Sequence, residues 1–376
     1  MASVLVAMIA PALAACAPVD PAPPAAVPAE DVVAREAPAA APLDAAQLEA
    51  APPPPVAVTD APVPAPEAPV AAPAAVESPG PMALAGTVAA ADRAGPLTGD
   101  TLYGPNSGAA EAAARLRTSS PTDAALLGRM ADVPTATWLG SWNRDVRTDV
   151  RTRVAEAHAA GGVPVFVAYN VPNLDCGGHS ASGGAGSVAG YEAWIREVAA
   201  GIGTAEAVVV VEPDTLALLC GNADERTRML RSAVGVLEAN PATHTYLDAG
   251  HSNWVDARAM AQRLQAAGVA EADGFALNVS NFETTADNVR YGSELSALLG
   301  GARFVVDTGR NGNGPGNDWC NPSGRALGEP TTTQTGHGLV DAFIWIKTPG
   351  ESDGACNGGP AAGQFWTDYA LGLARG

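Results

Sequence analysis

Seven short apolar runs between residues 136 and 346 constrain this chain more than any other feature of its sequence. Several of them are apolar at consecutive positions rather than at alternate ones, which is typical of parallel strands buried on both faces. The runs cover residues 136–139, 163–168, 207–211, 244–247, 274–277, 303–306 and 339–346. The pattern predicts about seven parallel strands.

Helical patterns fill the segments between these runs. The pattern at residues 222–240 begins with the capping-box-like Asn222-Ala-Asp-Glu225, continues with apolar residues at helical spacing and stops at Asn240-Pro241. Helices are also expected at residues 146–160, 191–200, 255–267 and 288–299. Strand and helix alternate throughout, so the predicted class is α/β with right-handed crossovers.

Acidic side chains follow several of the runs. Asp214, Asp248, Asp307 and Asp353 each come just after a predicted strand. A parallel α/β barrel places its chemistry at the carboxyl ends of its strands. These acids therefore indicate one active site that is shared by several loops and built on carboxylates.

A change of composition separates the first part of the chain from the rest. Residues 17–82 hold 18 of the 32 prolines and no aromatic residue. Such a segment cannot bury enough apolar surface to offset the entropy lost on ordering. Residues 17–95 are therefore predicted to be a disordered, partly polyproline II tether, and residues 96–376 a single folded domain.

The first sixteen residues predict export. Residues 4–13 form an apolar run, as in a secretory signal, although no Lys or Arg precedes it. Leu13-Ala-Ala-Cys16 resembles a bacterial lipobox, in which Cys16 would be lipidated and would attach the protein to a membrane. The expected location is the cell surface, as a lipoprotein, or the extracellular medium.

The remaining cysteines indicate disulfides rather than a metal site. Cys176, Cys220, Cys320 and Cys356 are an even number in an exported chain, which predicts two disulfides with three possible pairings. None is at C-x-x-C spacing, and no His lies at ligand spacing beside them, so no metal is expected.

The charge makes nucleic acid an unfavourable partner. The formal net charge is −19, and residues 96–376 contribute 19 basic and 30 acidic residues, or 19 − 30 = −11. An acidic surface repels phosphates but not a neutral polymer.

Seven motifs in chain order resemble glycoside hydrolase family 6, which contains endoglucanases and cellobiohydrolases. The resemblance extends from about Thr101 to the C-terminus. It implies a distorted β/α barrel, a variant of the TIM barrel, that hydrolyses β-1,4-glucan with inversion at the anomeric carbon and needs no cofactor. The motifs are Tyr169-Asn-Val-Pro-Asn-Leu-Asp-Cys176, Val211-Glu-Pro-Asp214, Tyr246-Leu-Asp-Ala-Gly-His251, Gly274-Phe-Ala-Leu-Asn-Val-Ser-Asn-Phe282, Asp307-Thr-Gly-Arg-Asn-Gly312, Trp319-Cys-Asn-Pro322 and Lys347-Thr-Pro-Gly-Glu-Ser-Asp-Gly354.

The resemblance also implies roles for individual residues. Asp214 matches the general acid, and Asp175 matches a neighbouring acid that raises the pKa of Asp214 and takes part in a water relay. Asp353 matches the candidate general base, and Tyr169 the ring against the distorted sugar. Asp248 matches a sugar-binding and structural acid, although it could also cap a helix, and Asp175 could be a turn residue.

Binding of a neutral, flat polymer calls for aromatic faces and amides rather than charge. Trp142, Trp254 and Trp319 match the aromatic platforms of the family. Trp138, Trp194 and Trp366 are instead interpreted as core residues, because they lie within strand or helix patterns. The expected polar contacts to sugar are Lys347, Glu351, His251, Asn278 and Arg310.

Two departures from the family pattern leave questions open. Leu174 stands where the family usually has Arg, which should raise the pKa of Asp175 unless Arg310 supplies the charge. The segment at residues 179–184 is one residue longer than usual, so either Ser180 or Ser182 could hold the hydrolytic water.

The family pattern implies the pairings Cys176–Cys220 and Cys320–Cys356. The resulting prediction is an exported, monomeric, inverting endo-β-1,4-glucanase with an open groove, because residues 312–319 and 354–363 form short loops. The alternatives are a glucan-binding protein with impaired catalysis, which Leu174 would suggest, and a hydrolase of a mixed-linkage β-glucan.

Overall fold

The computed structural model describes residues 95–177 and 183–376. The predicted signal, the lipobox with Cys16 and the proline-rich tether lie outside the described residues, as do Ser180 and Ser182.

The fold is built on one curled sheet of eight strands, and every pairing between these strands is parallel. The order is β1-β3-β4-β5-β6-β7-β8, and β2 also pairs with β3. All seven predicted strands are confirmed, and the eighth, β1, is a two-residue strand beside the start of β3. The strands are β1 (Leu102–Tyr103), β2 (Thr137–Leu139), β3 (Val163–Ala168), β4 (Ala207–Val211), β5 (Thr243–Asp248), β6 (Gly274–Leu277), β7 (Arg303–Asp307) and β8 (Val340–Ile344).

The barrel closes at a loose seam between β2 and β8. The residues that join the two sides lie just before β2 and just after β8. Thr135 bridges Trp345, Ala136 N–H donates to the Trp345 carbonyl (3.1 Å), and the Trp138 indole donates to the Ile346 carbonyl (2.9 Å). The predicted distorted barrel is therefore confirmed.

Helices cover the outside of the sheet. The five predicted helices are confirmed to within a few residues at each end, whereas α1, α2, α5 and α9 were not predicted: α1 and α2 precede the first predicted strand, α5 has only four residues, and α9 follows the last strand. No helix within the described part of the chain combines the length and the apolar character that a bilayer span requires. The helices are α1 (Ser107–Leu116), α2 (Pro121–Ala131), α3 (Val146–Ala159), α4 (Val188–Ile202), α5 (Thr215–Leu218), α6 (Ala223–Leu237), α7 (Ala257–Ala267), α8 (Thr285–Leu298) and α9 (Thr367–Arg375).

Burial on both faces explains the unbroken apolar runs. Along β4, Val208 and Val210 pack inside the barrel, whereas Val209 and Val211 pack against the outer helices. Leu97 joins the inner cluster and is fully buried. Each such side chain contributes roughly 1.5–3 kcal/mol relative to an exposed one, so both faces of the sheet fix the strand positions from which the functional loops start.

Candidate active site

One cleft of about 1230 Å³ brings together residues from several loops at the carboxyl ends of the strands. These side chains come from segments up to about 200 residues apart in sequence, as expected for a parallel barrel. Nine of the predicted site residues line the cleft: Trp142, Tyr169, Asp214, His251, Trp254, Trp319, Lys347, Glu351 and Asp353.

Asp214 lies at the sharp turn between β4 and the short helix α5. Both Asp214 (φ 68°) and Glu212 (φ 53°) adopt the left-handed backbone conformation, which is unfavourable for residues with a Cβ. The turn places Asp214 at the N-terminus of α5 and in the wall of the cleft. Its backbone N–H donates to Asp248 Oδ2 (2.9 Å).

Asp248 lies behind Asp214 and does not line the cleft. The same Oδ2 atom also accepts from Gly250 N–H (3.0 Å), and the residue is 1% exposed. Burial, followed by the nearby charge of Asp214, raises the pKa of Asp248 well above its ordinary value. These bonds fit the structural part of the role predicted for Asp248, and its contact with sugar stays a prediction.

The loop after β3 carries Tyr169 and Asp175. Tyr169 lines the cleft, where its ring meets that of Trp138 edge to face at a centroid distance of 5.4 Å. Asp175 belongs to a 3-10 turn at Leu174–Gly177. Leu174 is 1% exposed and packs in the core between sheet and helices, because this part of the turn faces inward.

Arg310 binds Asp353. Its Nη1 atom donates to both Asp353 carboxylate oxygens (2.9 and 2.8 Å), and its Nη2 atom donates to the Ser280 carbonyl. Asn321 N–H donates to Asp353 Oδ2 as well (3.0 Å), and the guanidinium lies 4.5 Å from the centre of the Phe282 ring. Arg310 is 1% exposed and lies outside the cleft lining, so the structure places it behind Asp353, and its contact with sugar stays a prediction. The sequence suggested that Arg310 could replace the charge of the usual Arg beside Asp175. In the structure the guanidinium of Arg310 binds Asp353 instead.

Asn278 is also a structural residue and not a sugar contact. It is fully buried, and its side chain bonds the Asp307 carbonyl (2.9 Å) and both backbone groups of Glu283 (3.1 Å each). Its backbone is left-handed (φ 68°), which Asn tolerates better than most residues. The side chain of Asn278 points towards these backbone groups and not towards the cleft, so the structure does not support the predicted contact with sugar.

Buried acidic side chains at the ends of three strands hold loops by accepting backbone N–H groups. Glu212 after β4 and Asp248 at the end of β5 accept from their own and adjacent loops. Asp307 at the end of β7 accepts from Ser280, Gly309 and Lys347 N–H groups (2.9–3.0 Å), and burial raises its pKa to about 6. The strand-end acids thus divide into those that face the cleft and those that fasten loops.

The three predicted aromatic platforms are exposed to solvent in the cleft. Trp142 is 55% exposed, Trp319 51% and Trp254 37%, and all three line the cleft. Trp138 packs against the inner cluster, as its interpretation as a core residue predicts, and it also lines the cleft, where Lys347 Nζ lies 5.9 Å from its ring centre. Its position near the carboxyl end of β2 could have indicated a platform.

The polar side chains of the cleft are held by carboxylates. Lys347 Nζ lies 3.8 Å from Glu351 Oε2, and burial lowers the pKa of Lys347. His251 Nδ1 lies 3.9 Å from Glu283 Oε1, and burial lowers the pKa of His251 to about 4. His251 is therefore neutral above about pH 5 and is suited to hydrogen bonding with hydroxyl groups.

Two disulfides brace the loops around the cleft, with the pairings that the family pattern implies. Cys176–Cys220 joins the loop after β3 to the segment after β4, with the Cα atoms 5.3 Å apart. Cys320–Cys356 joins the Trp319 loop to the Asp353 loop, with the Cα atoms 6.2 Å apart. In residues 95–177 and 183–376, no cluster of three or more His, Cys, Asp or Glu side chains could hold a metal ion.

Comparison with known proteins places these features in a family. The model of the glycosyl hydrolases family 6 matches residues 98–376. Endoglucanase A of Cellulomonas fimi is 47% identical over 262 residues, which are 68% of this chain and 57% of the relative. Endoglucanase 1 of Streptomyces halstedii is 45% identical over 280 residues, which are 70% of this chain and 86% of the relative.

Solved structures give the same result. The endoglucanase Cel6 from Mycobacterium tuberculosis, in complex with methyl-cellobiosyl-4-deoxy-4-thio-β-D-cellobioside, superposes with a TM-score of 0.70 at 44% identity. That match covers 75% of this chain and 99% of the other chain. The catalytic core domain of the cellobiohydrolase Cel6A from Chaetomium thermophilum superposes with a TM-score of 0.66 at 28% identity and covers 75% and 98% of the two chains. A family match over the whole described barrel, together with strand-end carboxylates in a cleft lined by tryptophan, shows that this chain belongs to the glycosyl hydrolases of family 6.

Proposed function

We propose that this chain is an inverting endo-β-1,4-glucanase that hydrolyses cellulose or a related glucan. One observation carries the proposal: Asp214 and Asp353, from the ends of two different strands, face the same cleft together with three exposed tryptophans. Two carboxyl groups across a sugar-binding cleft are the machinery of glycoside hydrolysis. The relatives named above as endoglucanases support the endo-acting assignment.

In the proposed mechanism, Asp214 donates its proton to the glycosidic oxygen as the bond from that oxygen to the anomeric carbon breaks. A water molecule attacks the anomeric carbon from the opposite face and gives its proton to a base, which inverts the configuration. Asp353 is the proposed base, oriented by Arg310 and by Asn321 N–H. Asp175 is proposed to take part through water, and Tyr169 to press on the sugar at the cleavage point.

The cleft has the properties that a neutral polysaccharide needs. Trp142, Trp254 and Trp319 offer ring faces to the CH groups of the sugar, while neutral His251 can bond to hydroxyl groups. The platforms are 37–55% exposed, which leaves them accessible to a chain that enters from the side. An open groove of this kind favours internal cleavage.

We also propose that the protein is exported and acts as a monomer, attached to a membrane through Cys16 or free outside the cell. The two disulfides support this location, because disulfides persist in oxidising compartments. Radiolabelled fatty acid incorporated by wild-type cells but not by a Cys16→Ser strain would identify the attached form.

The catalytic proposal is tested with the full chain and its Asp214→Asn variant. The variant should lose about 10²- to 10⁴-fold in kcat on soluble cellulose derivatives, because an amide keeps the shape of the acid without its proton. Viscosity should fall quickly relative to the release of reducing ends, and NMR should show the α-anomer as the first product. A variant that retains more than about a tenth of the wild-type kcat would refute the role of Asp214. Cellobiose as the sole early product would refute internal cleavage, and a first-formed β-anomer would refute inversion.

Assays on mixed-linkage β-glucan and xylan beside the cellulose derivative define the substrate. If kcat/KM is higher on mixed-linkage glucan than on the cellulose derivative, mixed-linkage β-glucan becomes the assigned substrate in place of β-1,4-glucan.

A further inference from the structure

Backbone strain is concentrated in the two segments that carry the proposed catalytic residues. Five of the nine non-glycine residues with positive φ in the described chain lie in the loop after β3 or in the segment after β4. Each such residue costs on the order of 1–3 kcal/mol and persists only where its surroundings hold it. The five residues are Asn173, Cys176, Glu212, Asp214 and Leu219.

Glu212 holds the first half of the loop after β3. Its side chain is 1% exposed, and Oε2 accepts from the N–H groups of Asn170 (2.9 Å) and Val171 (3.1 Å). Oε1 lies 3.1 Å from Asn170 N. The carboxylate thus binds the two residues that directly follow Tyr169.

Arg226 holds the second half of the same loop. Its Nη2 atom donates to the carbonyls of Pro172 (3.2 Å) and Asn173 (2.8 Å), and its Nε atom donates to the Cys220 carbonyl (2.7 Å). Arg226 belongs to α6 and is 5% exposed. One guanidinium therefore joins the segment before Asp175 to the segment after Asp214.

Together the two side chains bind four successive residues, 170–173, of the loop after β3. Glu212 accepts from the N–H groups of Asn170 and Val171, and Arg226 donates to the carbonyls of the next two residues. In the described part of the chain neither side chain lines the cleft. Their bonds act on the loop and not on a bound sugar.

We propose that Glu212 and Arg226 are positioning residues that fix the loop carrying Tyr169 and Asp175 relative to Asp214. This inference rests on the proposed catalytic roles of those three residues. The disulfide Cys176–Cys220 closes the far end of the same connection. Because the loop is held along its backbone, its geometry is set before substrate binds, and catalysis depends on that geometry more than binding does.

The test compares Glu212→Met, which keeps most of the side-chain volume but accepts no N–H bond, with Glu212→Gln, whose carbonyl oxygen can replace Oε2. Glu225→Gln is the matched control, because it makes the same change at an exposed position beside Arg226. The full chain of each variant is assayed for kcat and KM on a soluble, unsubstituted cello-oligosaccharide at pH 6, because an aryl leaving group would not need the proton of Asp214.

In Glu212→Met, kcat should fall about 10- to 100-fold while KM changes by less than about threefold, because the platforms Trp142, Trp254 and Trp319 lie on other loops. Glu212→Gln should keep kcat to within about threefold, and Glu225→Gln should match the wild type. A Met variant with wild-type kcat, a Gln variant as impaired as the Met variant, or a loss that is mainly in KM would overturn the inference.

If the Met variant does not accumulate in folded form, Arg226→Lys decides, since a lysine fills much of the space but cannot reproduce the three bonds of the fork. Its kcat should fall at least about fivefold with KM unchanged, and a wild-type kcat would overturn the inference. Asp214→Asn is measured in parallel. If that variant is active, the proposed function fails; if it is inactive while the Met variant is fully active, only the positioning inference fails.

Discussion

Replacing Glu212 by Gln should make the stability of the protein less sensitive to alkaline pH. Burial is the main reason why the pKa of Glu212 is raised from an ordinary value of 4.5 to about 8, despite N–H bonds that act in the other direction. The fold therefore favours the neutral carboxyl group. The corresponding stability is fully present below pH 4.5 and is lost as the pH rises towards 8.

The size of the effect follows from the two pKa values. Their difference is 8 − 4.5, or about 3.5 pH units, and at 1.36 kcal/mol per unit it corresponds to about 5 kcal/mol. A glutamine does not titrate, so this contribution is absent from the variant. The free energy of unfolding of the wild type, relative to that of Glu212→Gln, should fall by about 1.4 kcal/mol per pH unit between pH 5 and 8.

Urea unfolding of the full chain, with both disulfides intact and at half-unit steps from pH 5 to 9, measures this difference. All other titrating groups are common to both proteins and cancel in the comparison. Glu225→Gln supplies the control, because it makes the same change at an exposed position. A flat difference for Glu212→Gln, or a wild type that gains relative stability as the pH rises, would refute the argument that burial keeps this carboxyl neutral.

Three further predictions concern the cleft and its supports. Arg310→Met should destabilise the fold by about 3–5 kcal/mol in urea unfolding, because it leaves the 6% exposed carboxylate of Asp353 without its cation; unchanged stability would show that the ion pair is dispensable. Trp138→Ala should lower kcat/KM on soluble cello-oligosaccharides by about tenfold, through the loss of a stacking face, and should also lower the midpoint of urea unfolding, because the bond to the Ile346 carbonyl is lost; wild-type kinetics would show that the ring does not contact the sugar. Replacing Cys320 and Cys356 together by Ser opens a loop with a sequence separation of 36 and should cost about 4 kcal/mol, a value that guanidinium unfolding of the double variant checks against the wild type.

The sheet could be predicted from the sequence because burial on both faces leaves a direct trace. Val208 to Val211 are all apolar, since neighbours on opposite sides of β4 both exclude water. Helices α1 and α2 precede the first predicted strand, so the alternation of strand and helix does not predict them. The cleft position of most site residues followed from family motifs rather than from physical periodicity.

The sequence does not predict in the same way which strand-end acids face the cleft and which hold loops. Asp214 and Asp248 both follow apolar strands, yet one faces the cleft and the other accepts N–H bonds. The difference depends on which backbone groups of a neighbouring loop come within reach, and those groups are remote in sequence. The ion pair of Arg310 could not be predicted for the same reason, because its partner Asp353 lies 43 residues away.

The loop-fastening carboxylates affect how mutagenesis of this barrel should be interpreted. A screen that replaces each of these acids by Ala would find losses of activity at Glu212, Asp248 and Asp307 as well as at the acids that face the cleft. Exogenous azide separates the two classes, because the anion needs no base to attack the anomeric carbon and can occupy the room left by a missing base. Azide should therefore restore turnover when Asp353 is replaced by Ala, if that residue is the base. It cannot restore the geometry of a loop whose N–H groups have lost their acceptor, so chemical rescue distinguishes the chemistry of this cleft from its scaffolding.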